Sequence, residues 1–232
     1  MTADQVWERI QRLLGQTYLY ELFSIARGVS ESCEQVFASA PARMPDGQPY
    51  FKVDHGLLRV IFQALGDAAR VRWLVSDRPK TRSQSVLDYE IQRKRTRWLQ
   101  GVLDGIPLEE VLDAKVRHSL EHFDEYLDAT GIAGVRGDLA IPTVLPVDFI
   151  LSHEGHFEEL IPKEPVPNVY PLRAYFATER MFMNAGRRIS LDALHRECRA
   201  ITERVAPLLG GAAAMDERVA SMTVVKDWRH DW

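Results

Sequence analysis

The stretch Leu112-Asp113-Ala114-Lys115-Val116-Arg117-His118-Ser119-Leu120-Glu121-His122-Phe123-Asp124-Glu125-Tyr126-Leu127 carries most of the information on how this 232-residue chain folds. Leu112, Val116, Leu120, Phe123 and Leu127 recur at intervals of four, four, three and four. That spacing lays them along one narrow stripe, which predicts a helix with a single buried face, as in a bundle. Pro107 suits the first turn, Glu109 and Glu110 favour the positive end of the helix dipole, and Gly131 supplies a stop. The expected helix runs from Pro107 to Gly131.

Three earlier segments read the same way. Val6, Ile10, Leu13, Leu14, Leu22 and Ile25 predict a helix from Ala3 to Arg27. Thr2 and Gln5 have capping-box spacing at its start, and Gly28 is its expected stop. A short helical piece is expected from Glu31 to Ala38, then a loop marked by Pro41, Pro45, Asp46-Gly47 and Pro49. Helices follow over Gly56 to Val75 and Ser83 to Leu103.

Beyond Gly131, prolines at 142, 146, 162, 165, 167 and 171 break helical patterning. Leu172 to Phe176 and Met181-Phe182-Met183 predict a short hairpin around Thr178-Glu179-Arg180. Ser190 is placed to cap a last helix, Leu191 to about Leu209, closed by Gly210-Gly211. The tail Trp228-Arg229-His230-Asp231-Trp232 carries two indoles suited to docking, for instance on a partner subunit. The expected fold is mainly α: an N-terminal bundle of about four helices, a small C-terminal β-hairpin and a final helix. The division is 1–131 for the bundle and 132–232 for a strand-containing extension packed on it.

Hydrophobic residues make up 46% and charged residues 27%, ordinary values for a folded protein with a real core. The first residues lack the basic and apolar regions of a signal peptide, and no run approaches the roughly 18 apolar residues of a membrane span. Two cysteines, Cys33 and Cys198, are too few for a disulfide framework and read as buried thiols. Together these predict a cytoplasmic chain without a membrane partner. The net charge of −4 hides an asymmetry. Nine Lys or Arg residues lie between Arg70 and Arg97 against three acids, and fourteen acids lie between Asp104 and Glu164 against four bases.

With Val116 at the stripe centre, Arg117 falls at about 100°, His122 at about −120° and His118 at about −160° around the helix. All three leave the core and border a polar face. Arg, a polar residue, then His five positions after the Arg resembles the motif of the HEPN superfamily, over roughly Ser83 to Asp128 and with a bundle core of about 56–131. HEPN proteins are small helical bundles that dimerise with the motifs facing one cleft. The resemblance implies a homodimer, RNA as partner, no cofactor and metal-independent RNA cleavage. A ribose 2′-hydroxyl would attack its own phosphate, Arg117 would stabilise the phosphorane charge, and His122 would carry the proton. His118, in the polar slot, would orient the phosphate or its neighbour. Members paired with a nucleotidyltransferase antitoxin have a Tyr two positions after the His. Here Asp124 stands there and Tyr126 is displaced, so such an antitoxin partner is not implied.

Arg93, Lys94, Arg95 and Arg97, followed by Trp98, form the densest basic run and suit backbone-phosphate contact. The same residues also read as a solvated face pairing with acids of the chain or of a partner. Arg117 likewise reads as a surface partner of Glu121 or Asp124. His118 and His122, at i and i+4, have a spacing that zinc uses, but no HExxH pattern is present, and His153-Glu154-Gly155-His156 is one residue short of it. No metal site is therefore expected. The second class of function is a non-catalytic helical scaffold whose basic and acidic halves serve self-association.

Overall fold

The computed structural model describes residues 2–39, 50–52, 55–113, 118, 121, 124, 125, 128, 132, 144–152, 168–184 and 187–214. The first helix, α1, spans Ala3–Ser39. Its capping box forms as the sequence predicts: the Thr2 N–H donates to Gln5 Oε1 at 3.0 Å, and the Gln5 N–H donates to Thr2 Oγ1 at 3.3 Å. Gly28 does not end it. Leu19, Leu22, Ile25 and Ala26 before that glycine and Val29, Cys33 and Val36 after it are all buried in one cluster. A mid-helix glycine costs only about 1 kcal/mol, far less than unpacking either group would.

Helix α2 spans His55–Val75 and α3 spans Val86–Val102. Ser85 caps α3, its Oγ accepting from the Asp88 N–H at 3.1 Å. After a turn through Gly105, at φ +80, comes α4, Glu109–Leu112. The helix expected from Pro107 to Gly131 is not continuous, because Asp113 is extended at φ −68, ψ 120. The physical reason is phase. Val111 is buried while Leu112, the first residue of the expected stripe, is 40% exposed, so this turn presents a different face to the core. Further on, His118, Glu121, Asp124, Glu125, Asp128 and Ile132 are helical and exposed. The five of these up to Asp128 belong to the polar side of the expected stripe, and Ile132 lies past the expected end at Gly131.

Among the described residues, five strands form one sheet in the order β1-β2-β3-β4-β5: Tyr50–Lys52, Val144–Ser152, Asn168–Phe176, Met181–Asn184 and Arg187–Ser190. The expected hairpin is β3–β4, whose first pair is Phe176 with Met181. The sheet extends it with β5 on one side, antiparallel, and on the other with β2, parallel to β3, and then β1. Leu151, Tyr175, Phe182 and Ile189 are direct partners across four strands, and all four sit in the main core. Ala174, Phe176 and Met183 form a second small cluster. Alternation along each strand thus sorts side chains to two faces.

Ser190 caps the last helix as predicted, its Oγ accepting from the Ala193 N–H at 3.1 Å. This helix, α5, spans Leu191–Val205 and passes into a 3-10 segment, Ala206–Ala214, kinked at Gly210. Helices α1, α2, α3 and α5 and one face of the sheet enclose a single continuous core. Among the described residues, no helix is long and apolar enough to cross a membrane.

A Cβ built on Gly28 meets only Asp67 Oδ2, at 3.6 Å, an ordinary contact. Gly28→Ala should therefore raise stability by about 0.5–1 kcal/mol, read as a higher urea midpoint at unchanged slope. A lower midpoint would mean that α1 and α2 need the missing methyl group.

Candidate functional site

The motif that drew attention in the sequence is only partly within view. Arg117 and His122 lie outside the described residues, as do His153 and His156 and the Trp228–Trp232 tail. His118 is described, and it stands at an exposed helical position. Among the described residues, no group of three ligand side chains is placed to hold a metal ion.

The basic helix is fully described, and its four cations differ in what they do. Arg93 reaches Glu90 at 3.7 Å and stacks over the Tyr89 ring, 5.8 Å from its centroid. Lys94 is ion-paired with Asp4 at the start of α1. Arg95 is half-buried and stacks over the Tyr18 ring of α1 at 5.8 Å. Burial holds its guanidinium below the ordinary value, Tyr18 opposes that shift, and the nearby charge of Arg78 adds to it. Its Nε is buried without a hydrogen-bond partner among the described residues. Arg97 is exposed. Trp98 packs inward, its ring 6.1 Å from that of Trp7. Lys94 and Arg95 therefore tie α3 to α1 and Arg93 is engaged within α3, while Arg97 alone projects as the sequence reading requires.

A better-placed set of cations lies in the loop between α2 and α3. Arg78, Lys80 and Arg82 are all exposed, and the only acid between Ser76 and Ser83 is Asp77. Arg78 stacks over Trp73, 5.8 Å from the ring centroid, and that indole is 43% exposed. Among the described residues, no carboxylate is ion-paired with any of the three. Gln84, at the end of this loop, lines a groove of about 310 Å³ between α1 and α3. Val6, Ile10, Leu87 and Ile91 give it apolar walls, while Gln84, Asp88, Gln92 and Arg95 add polar edges and Tyr18 a ring. Gln84 Nε2 donates to Gln92 Oε1 at 3.0 Å, which joins the loop end to the helix. Sequence reading weighted the run of charges on the helix. The signal for the loop was Pro79 among polar residues, since cations on such a segment have no helix face to share with acids.

A second polar cluster holds α5 to its neighbours. Glu197 is buried, and its two carboxylate oxygens accept from the N–H groups of Glu110 and Val111 at 3.0 and 2.9 Å. It therefore caps α4 from 86 residues away, where Leu108 has no side chain to do so. Glu110 reciprocates, its Oε1 accepting from the Ser190 N–H at 3.3 Å. Arg204 Nη1 donates to the carbonyls of Val102 and Asp104 at 3.1 and 3.0 Å. Nearby, Arg180 holds a left-handed turn at φ 49, with its side chain over Phe37 at 4.2 Å and on Asp192 at 2.9 Å. Burial pushes the Cys33 thiol up to about 12 and the Cys198 thiol higher still, so neither is a nucleophile at neutral pH. Burial likewise pushes Tyr175 up to about 12.

No family model, no characterised protein and no solved structure matches this chain.

Burial raises the Glu110 carboxyl above its ordinary range; the Ser190 N–H opposes this, and Glu197, Asp113 and Glu109 add to it. The folded state therefore holds the proton to higher pH than the unfolded one. The stability this confers is complete below the unfolded value and is lost as pH rises through the folded value. Glu110→Gln removes that loss while keeping an acceptor for Ser190. Its stability relative to wild type should rise as pH climbs above the ordinary carboxyl value of about 4.3 in urea unfolding. A difference that does not change with pH would count against a raised Glu110.

Proposed function

We propose that this chain is a HEPN-like RNA-binding protein that cuts RNA without a metal ion, as a homodimer in a reducing cytoplasm. The observation that carries the reading is the spacing of Arg117, His118 and His122, on a segment whose described members are helical and exposed. A motif meant to meet a second copy and a substrate needs that polar, solvent-facing placement. Arg117 stabilises the phosphorane charge with a planar, permanently charged fork, and His122 moves the proton from the attacking 2′-hydroxyl toward the leaving oxygen. His118 orients the phosphate. Free, buried thiols at Cys33 and Cys198 suit a reducing compartment.

A second reading has its own support. Arg93, Lys94 and Arg95 are held by Glu90, Asp4 and Tyr18 of the same chain, as in a helical scaffold whose charges serve its own cohesion. That reading makes the protein a non-catalytic interaction module.

The two readings separate in one assay: RNA cleavage in EDTA by wild type, Arg117→Ala and His122→Ala. The ribonuclease reading expects 2′,3′-cyclic phosphate ends from wild type and a fall of at least about 100-fold in each variant. Equal cutting by all three, or none by wild type, leaves the scaffold.

A further inference from the structure

We propose that the groove between α1 and α3, together with the α2–α3 loop, binds single-stranded RNA: a base enters the groove and the flanking phosphates lie on Arg78, Lys80 and Arg82. This deepens the RNA-binding reading by assigning a surface separate from Arg117 and His122, and it rests on that reading for its ligand.

Three observations carry it. The first is charge. Three exposed cations on one short loop face a single acid, Asp77, and among the described residues none has a carboxylate partner. Such a loop is an unneutralised positive patch, and a polyanion neutralises it with release of counterions. The second is shape. The groove, about 310 Å³, is at the lower end of the roughly 300–1,000 Å³ of small-molecule sites, a size that suits one base rather than a large ligand. Leu87, which is 44% exposed, with Ile10 and Ile91 offers apolar contact to a base face, and Gln92 and Asp88 offer hydrogen-bonding edges to its rim. The third is the company of aromatic rings. Trp73 under Arg78 and Tyr18 under Arg95 place two cation–ring stacks at this end of α3. Single-strand binders combine basic tracks with such stacking surfaces. Arg95, held over Tyr18, also lines the groove.

A duplex fits this surface poorly. A stacked base in a helix cannot enter a groove of this size, whereas an unpaired one can leave its stack at low cost. The strand is therefore single.

The test uses the full chain and a fluorescein-labelled, 2′-O-methyl oligoribonucleotide of eight nucleotides, which lacks the attacking hydroxyl and cannot be cut. Anisotropy at about 50 mM salt should show binding by wild type. Reversing Arg78, Lys80 and Arg82 to Glu should weaken it at least tenfold, and Leu87→Glu severalfold, both at exposed positions that leave the fold intact by circular dichroism. The slope of log affinity against log salt should fall by about 2 in the triple variant, as expected for three lost phosphate contacts at about 0.7 each. Reversing an equal charge at Arg187, Arg188 and Arg199 should leave affinity within about twofold. Equal binding by the loop variant, or equal loss in the control, overturns the assignment and leaves the ribonuclease reading to its own cleavage assay. Absence of binding by wild type alongside metal-independent cutting overturns it too; absence of both removes the RNA reading as well.

Discussion

Glu197 and Arg204 sit seven residues apart on α5, two helical turns along one face. Between them they clamp the junction of α3 and α4. The carboxylate of Glu197 satisfies the opening N–H groups of α4, and the guanidinium of Arg204 satisfies carbonyls at the end of α3. Each end of the junction receives the charge that its helix dipole favours. The buried Glu197 would be costly if unpaired, so the clamp is specific as well as favourable. The place where α3 gives way to α4 is thus fixed by a helix made 80 or more residues later.

This division of labour explains what could be read in the sequence. Local signals were legible where local chemistry decides. Thr2 with Gln5 and Ser190 both act within three residues, and both caps form; Ser85, which caps α3 two residues past its expected start at Ser83, was not picked out. The β3–β4 hairpin was legible for the same reason, since its two strands and turn are contiguous. Gly28 was misleading because tertiary burial on both sides of it outweighs a weak local preference. The break at Asp113 was not legible, because tertiary packing buries Val111 in place of Leu112 and so shifts the phase of α4 away from the stripe that the spacing suggests. Strands β1, β2 and β5 depend on partners distant in sequence or on runs too short to stand out, such as Arg187–Ser190.

The charges follow the same pattern. A run such as Arg93 to Arg97 looks like a binding surface when only one helix is considered. In the folded chain its members face different neighbours: Glu90 on the same helix, Asp4 and Tyr18 on α1, and solvent. Spacing alone cannot say which of these a residue will meet. Among the described residues no carboxylate is ion-paired with the loop cations Arg78, Lys80 and Arg82, so a less dense cluster leaves more charge available. For RNA chemistry the relevant quantity is the charge left over after the fold has used its share.

The order in which the chain is synthesised gives the clamp a further meaning. On the ribosome, α1, α2 and α3 emerge first and can pack on one another early, being mostly local in contact. The α3–α4 junction stays unfastened until Glu197 and Arg204 have left the exit tunnel, and β1 waits for β2, since Tyr50 pairs with Ser152. The first three helices can thus assemble around their shared core while the junction that follows them is still loose, and α5 is the last piece to lock it.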